Sequence, residues 1–383
     1  MIAILLACFL ALLTYGFSVQ FVRGPREGPF EGLLVTQFAH ETHLSVFVML
    51  VLTVLGTRLD NPWLALVTGW IAVNVPMGVW LWAHRWLPDK VGTAVQATSQ
   101  MVFAVGIAFY DTLARTLVPA RDLPWWAVGV LAWGALNAYV FLHQRWCSGT
   151  PPRGFNHHKI VPGGTDLGLM ENSSEFAWLM GVTVVTLAYL ALHWHGLFAF
   201  ALLALLPLLV WARNQSALGA AAVGLAGFAS AFSWPLVAGA AVLAMPLVLV
   251  ALRVNRGAAC WQHRRTEWTR AWALLRDTHF LGFGLGSWKN HRYRDRPEGI
   301  RQHEWATLHN DWLQSAVEVG VPPVLLAAGY LAGAWWALPA TPEAAYAFGL
   351  VLYTAAFGIL YYPLRHAGQA FVLLVAMAAL EAR

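Results

Sequence analysis

Runs of about 17–25 apolar residues recur from one end of the sequence to the other, each long enough to cross a hydrocarbon core. That recurrence constrains the fold more than any other feature, because a chain in water could not shield so much apolar surface. Only 11% of the 383 residues are charged, against roughly 25% in an ordinary soluble domain. In hydrocarbon every backbone polar group must be satisfied within the chain, so long apolar runs imply helices. The expectation is an all-α polytopic membrane protein, a single integral membrane domain over residues 1–383. Twelve spans fit, at approximately 1–22, 33–56, 62–82, 91–113, 124–143, 174–192, 195–211, 215–233, 235–252, 321–338, 344–362 and 366–381. Pro62, Pro124, Pro235 and Pro322 stand near span starts, where a missing N–H costs little. The first run has no basic leader and no small-residue cleavage site, so it reads as a retained span.

Parity turns this count into a statement about sidedness. The connections at 144–173, around Arg213, at 253–320 and around Arg365 follow spans 5, 7, 9 and 11, so all four open on one side. Eleven of the 24 Lys and Arg residues fall between 253 and 301, which makes 253–320 the segment to search for chemistry. Outside it, connections on that side hold nine Lys and Arg and the opposite side four. By the positive-inside rule this bias places the basic face in the cytoplasm. Basic residues kept to bind an anion would distort such a count. The charge lies in loops and no paired repeat is visible, which argues against a secondary transporter. Three cysteines form neither a disulfide framework nor a metal spacing.

The segment 253–320 divides into four parts. Residues 263–277, HRRTEWTRAWALLRD, place Trp268, Ala271, Trp272 and Leu275 at i, i+3, i+4 and i+7, with Arg264, Glu267 and Arg270 away from that stripe. This is the pattern of an amphipathic helix at an interface, either binding headgroups through its arginines or anchoring the loop. Gly282, Gly284 and Gly286 then alternate, which suits a tight backbone path and not a dinucleotide fold, since no strand–helix–strand context surrounds them. A polar stretch follows with Lys289, Arg292, Arg294, Arg296 and Arg301. So short a basic loop between spans suits a pyrophosphate or an anionic headgroup, which guanidinium forks match bidentately, better than nucleic acid. Last comes HNDWLQSAVEVG. On a helix from His309, Trp312, Leu313, Ala316 and Gly320 share the His309 side and Asp311, Gln314, Ser315 and Glu318 the other. That arrangement predicts His309 pointing with the buried face, either as a structural histidine or as a base for an attacking hydroxyl.

His309, Asn310, nine intervening residues and Gly320 resemble the His-Asn-x9-Gly signature of the O-antigen ligase and polymerase family, which includes protein O-oligosaccharyltransferases. Pro323 stands where that family usually has a second Gly, and the Arg motif common at the start of a mid-chain span is displaced here to Arg213. The stretch from Arg265 to Trp288 resembles the family's Arg-bearing amphipathic helix with its Gly-x-Gly sequel, and GLMENSSEFAWLM at 168–180 resembles its Gly…Asn…Ala opening of a span. The resemblance covers residues 160–330 well and the first 140 only as hydrophobic spans. It implies a GT-C-like fold in the bacterial inner membrane, with the loop between spans 9 and 10 on the periplasmic side, opposite to the charge count. It further implies an inverting glycosyltransferase of lipopolysaccharide biosynthesis, using no cofactor and no metal, that moves a glycan from undecaprenyl diphosphate to a hydroxyl on an acceptor lipid or glycan. His309 would be the catalytic base, and Arg213, Arg264, Arg265 and Arg292 would hold the donor pyrophosphate. Asn172, Glu175 and Asn310 would contact acceptor or sugar. Membrane lipids, and other membrane subunits, are the remaining expected partners.

Two further features complete the expectations. His40 and His43 flank Glu41 but stand three apart, not four, so they lack the shared helix face of a metalloprotease pair. The rival from another class is a non-catalytic subunit that keeps the ligase-like fold and offers only packing surface.

Overall fold

The structure, a computed structural model, describes residues 115, 118, 120–146, 173–211, 215–233, 258–282, 288, 308–363 and 367–381. Those residues form helices joined by turns, with no strand among them. In chain order the helices are α1 (Leu123–Trp146), α2 (Ser173–His193), α3 (Leu197–Trp211), α4 (Gln215–Ser230), α5 (Ala258–Asp277), α6 (Asp311–Val319), α7 (Val321–Trp336), α8 (Pro342–Phe357) and α9 (Ala367–Glu381). Seven of them, all but α5 and α6, coincide with expected spans. The expected spans at 1–22, 33–56, 62–82, 91–113 and 235–252 lie outside the described residues. The segments Leu123–His143 and Ser174–His193 are long and apolar enough to cross a membrane.

Local chemistry explains where the helices start. Thr341 caps α8, its Oγ1 accepting the N–H of Ala344 at 3.3 Å, with Pro342 at the first position and Glu343 in the first turn. Pro322 and Pro323 sit in the first turn of α7, where no intrahelical N–H is needed. Pro323 is thus accommodated by a helix start.

Helix α2 is the axis of a bundle, packed against α1, α3, α4 and α8. It runs antiparallel to α8, and paired contacts fix the register. His193 Nδ1 lies 3.0 Å from Glu343 Oε1, Tyr189 stacks on Tyr346, Thr186 shares a 2.9 Å hydrogen bond with Tyr346, and Tyr353 donates to the Trp178 carbonyl at 2.9 Å. Phe141 near the end of α1 stacks on Phe176 at the start of α2. Helices α4 and α8 approach at Gly224 and Gly349, where a Cβ on Gly349 would lie 2.9 Å from the Gly224 carbonyl oxygen.

These pairings sort the helix ends. The start of α2 and the close of α1 and α8 share one end of the bundle; the start of α8 and the close of α2 share the other. At the far end Tyr330 of α7 donates to Glu381, which also pairs with Arg115. Trp125, Trp194, Trp335 and Trp336 are exposed there, on the helix starts and closes that the register assigns to it. Helices α5 and α6 build a second, smaller core from Ala271, Leu275, Trp288, Leu308, Ala316 and Val317, which forms a cap distinct from the bundle.

Candidate functional site

The cap is assembled by backbone. Helix α5 ends in a Schellman turn, with the Phe280 N–H donating to the Leu275 carbonyl at 3.0 Å and the His279 N–H to the Arg276 carbonyl at 2.9 Å. His279 and Phe280 accordingly take φ of 54° and 65°, and Gly282 follows at 84°. This turn carries the chain against the junction of α6 and α7, where the Val321 N–H donates to the Phe280 carbonyl at 2.9 Å. A Cβ on Gly282 would clash with the Gly320 amide and lie 2.8 Å from the Glu318 carbonyl oxygen. A Cβ on Gly320, whose φ is 92°, would lie 2.8 Å from the Leu281 carbonyl oxygen. The two glycines therefore share one crossing: Gly282 is bare so that the backbone of 318–320 can pass, and Gly320 so that the backbone of Phe280 and Leu281 can.

Helix α6 begins at Asp311. Asn310 is its N-cap, in extended conformation (φ −157°, ψ 99°), with Oδ1 accepting the Leu313 N–H at 2.9 Å. The Asp311 N–H is shared between the Gly358 carbonyl at 2.8 Å and the Tyr361 carbonyl at 3.1 Å, and Trp312 Nε1 donates to the Ala355 carbonyl at 2.8 Å. The start of α6 is thus docked on the close of α8, at the bundle end where α2 begins.

His309 precedes the cap residue, outside the helix, with φ of 50°. The expectation that it shares a helical face with Trp312, Leu313, Ala316 and Gly320 is corrected by the extended Asn310, which breaks the helical projection before it reaches His309. The His309 ring meets Tyr362 edge-on, centroids 5.3 Å apart, and Tyr362 stacks on Tyr361 at 4.1 Å. Left-handed backbone costs a non-glycine residue about 1–2 kcal/mol. It persists where the surroundings overdetermine it, as at many functional sites. The surroundings here are the grips on Leu308, whose N–H donates to Gln314 Oε1 and whose carbonyl accepts from Trp268 Nε1, each at 3.0 Å.

The remaining expected site residues divide by location. Arg264 is half-buried and Arg265 exposed, one turn before Trp268 on α5, so both lie on the helix that grips the residue before His309. Glu175 is buried in the first turn of α2, at the same bundle end as the cap. Arg213, Arg292 and Asn172 lie outside the described residues, as do His40 and His43.

Two faces read from the sequence are turned. Glu267, expected away from the apolar stripe of α5, is only 3% exposed, whereas Trp272 of the stripe is 52% exposed. The buried face is rotated by about one residue, because Ala271 and Leu275 pack on α6 and take Glu267 with them. In α6 the polar side is the buried one: Asp311, Gln314 and Glu318 all point inward. Sequence reasoning missed Gln314 and Tyr362. The i, i+4 spacing of Gln314 and Glu318 was the available signal for the first, and Tyr362 had none.

No family model matches the chain, and no curated protein matches it.

Proposed function

We propose that this protein is an O-antigen-ligase-like membrane glycosyltransferase, transferring a glycan from undecaprenyl diphosphate to an acceptor hydroxyl. On this reading the full chain is a GT-C-like protein of about twelve spans in the bacterial inner membrane, with the cap on the periplasmic side. The observation that carries it is the placement of His309. The residue is held in left-handed backbone at one end of an apolar bundle, with the motif's Asn310 capping α6 and its Gly320 locked against Gly282. That the residues of the His-Asn-x9-Gly spacing all take part in the cap is what supports the reading.

The chemistry balances without a cofactor. The acceptor oxygen forms a bond to the anomeric carbon as the bond from that carbon to the diphosphate oxygen breaks. The acceptor proton passes to the His309 imidazole, the diphosphate leaves with the electron pair, and in-line attack inverts the configuration. Arg264 and Arg265, with Arg213 and Arg292, would bind the pyrophosphate and stabilise the charge that grows on it. Glu175, Asn172 and Asn310 would orient the sugar or the acceptor.

Mass spectrometry of surface glycans from cells with the gene, without it, and carrying His309→Ala tests this reading. The expected result is loss of one glycan linkage in the deletion, restored by the parent and not by His309→Ala at equal membrane level. Full restoration by His309→Ala removes that residue from the mechanism. A topology reporter fused after Arg294 should report the periplasm; a cytoplasmic result would sink the enzymatic reading.

A further inference from the structure

Buried polar side chains are costly unless they satisfy another group, and α6 turns three of them inward beside His309. Gln314 is the informative one. Its Oε1 accepts the Leu308 N–H at 3.0 Å and its Nε2 donates to Glu318 Oε1, also at 3.0 Å. A glutamine amide presents an acceptor on one side and a donor on the other, and a half-turn of χ3 exchanges them. The Leu308 N–H, which only Oε1 can accept, breaks that tie, and Glu318 reinforces the choice. Its carboxyl oxygen accepts the Nε2 donor, which leaves Oε1 facing Leu308. On the far side of the same residue, Trp268 of α5 donates to the Leu308 carbonyl at 3.0 Å. The residue before His309 is therefore clamped at both its amide and its carbonyl, by side chains from two different helices. The residues after it are clamped as well, by the Asn310 cap and the shared Asp311 N–H.

We infer that Gln314, anchored by Glu318, is a positioning residue that holds His309 in its left-handed conformation, with Trp268 gripping the same residue from α5. For its effect on turnover the inference rests on the transferase reading; for the placement of the imidazole it does not.

The test uses the full-length protein in nanodiscs of phosphatidylethanolamine and phosphatidylglycerol. Carbethoxylation by diethyl pyrocarbonate is followed at the His309 peptide by mass spectrometry, with the exposed His195 and His279 as internal references. Gln314→Glu sets a carboxyl against the Glu318 carboxyl and removes the donor between them. The His309 rate should rise several-fold as the ring leaves its edge-on seat on Tyr362, while the reference rates hold. The swapped pair Q314E/E318Q restores one donor and two acceptors and should return the His309 rate to that of the parent. Glu318→Gln alone, which replaces the carboxyl anchor by a neutral amide and leaves the Leu308 N–H to orient Gln314, should fall between. Should Gln314→Glu fail to fold, Glu318→Gln and the swapped pair still decide the matter.

An unchanged His309 rate in the folded single variants overturns the inference, as does a swapped pair that behaves like Gln314→Glu. Glycan transfer measured in parallel should fall by about a hundredfold in Gln314→Glu, the order of loss expected from a misplacement of about 1 Å, and recover in the swapped pair. If His309 reactivity follows the swap while surface glycans are indifferent to His309→Ala, the positioning stands and the transferase reading falls.

Discussion

The bundle and the cap both bury polar side chains, and they use them differently. In the bundle, Thr183 and Thr186 return their hydroxyls to the carbonyls of Leu179 and Val182, one turn back in their own helix, at 2.8 Å each. Tyr353 reaches a neighbouring carbonyl at 2.9 Å, and close contact between α4 and α8 comes from small residues. A few polar pairs, such as Thr186 with Tyr346, set the register between helices there, and the close approach itself is a matter of shape. In the cap, an amide and two carboxyls are buried along a nine-residue helix; the amide and a partly buried indole hold the residue just before His309, and one carboxyl accepts from the amide. Buried polar groups seldom add net stability compared with well-packed apolar ones, and their best-attested use is to specify one arrangement. The bundle is built for packing and the cap for placement.

If the protein is the proposed transferase, that contrast makes predictions that separate amount from activity. His309→Ala should lower transfer by about 10²–10⁴-fold, the usual contribution of a general base, with the amount of folded protein unchanged by immunoblot of membranes. Gly282→Val should undock α5 from the α6–α7 junction, since any Cβ there meets backbone. Transfer should fall by about a hundredfold, and limited proteolysis should cut residues 258–282 while sparing the bundle. Gly349→Leu should do the reverse. Overpacking against Gly224 and Phe228 should destabilise the bundle by about 1–3 kcal/mol, seen as a lower thermal midpoint with unaltered transfer per folded molecule. Arg265→Ala should lower kcat/KM for the donor by about tenfold, a loss of about 1.4 kcal/mol, through a higher KM and a lower kcat, since the guanidinium would both bind the diphosphate and stabilise its growing charge. If Gly349→Leu altered turnover, or Gly282→Val only the amount of protein, the division between the two regions would be wrong.

The bundle was largely legible in the sequence because its rule is one-dimensional. Runs such as residues 174–192 and 344–362 announce helices by length and apolarity alone, and α2 and α8 stand there. Only the close of α8 differs, at Phe357, where Gly358 through Tyr361 turn to receive the Asp311 N–H. The cap was legible in its ingredients and not in its orientation. Periodicity assigned Trp272 to the buried stripe of α5 and Glu267 to the opposite side; the packing of Ala271 and Leu275 on α6 turned both. The letters around His309 resemble a signature but do not give its backbone. Whether a helix starts at residue 309 or 311 depends on Asn310 acting as a cap, and only the contacts with Gly358 and Tyr361 decide that. Gly282 and Gly320 illustrate the limit: 38 positions apart, they are explained only by the backbone crossing between 280–282 and 318–320.

On the proposed reading, the tryptophans at the far end would act as a depth gauge. Helix α2 has 21 residues and rises roughly 30 Å, close to the thickness of a hydrocarbon core of about 30 Å. Indole rings settle at the boundary between lipid tails and water, so Trp125, Trp194, Trp335 and Trp336 would pin the far end of the bundle to one leaflet's surface. The first turn of α2, and with it the level at which the cap begins, then falls at the surface of the opposite leaflet. A diphosphate carried on a polyprenyl tail floats at that same depth. Such a donor would drift sideways to His309 without being lifted from the bilayer, and only the acceptor would have to be brought to it.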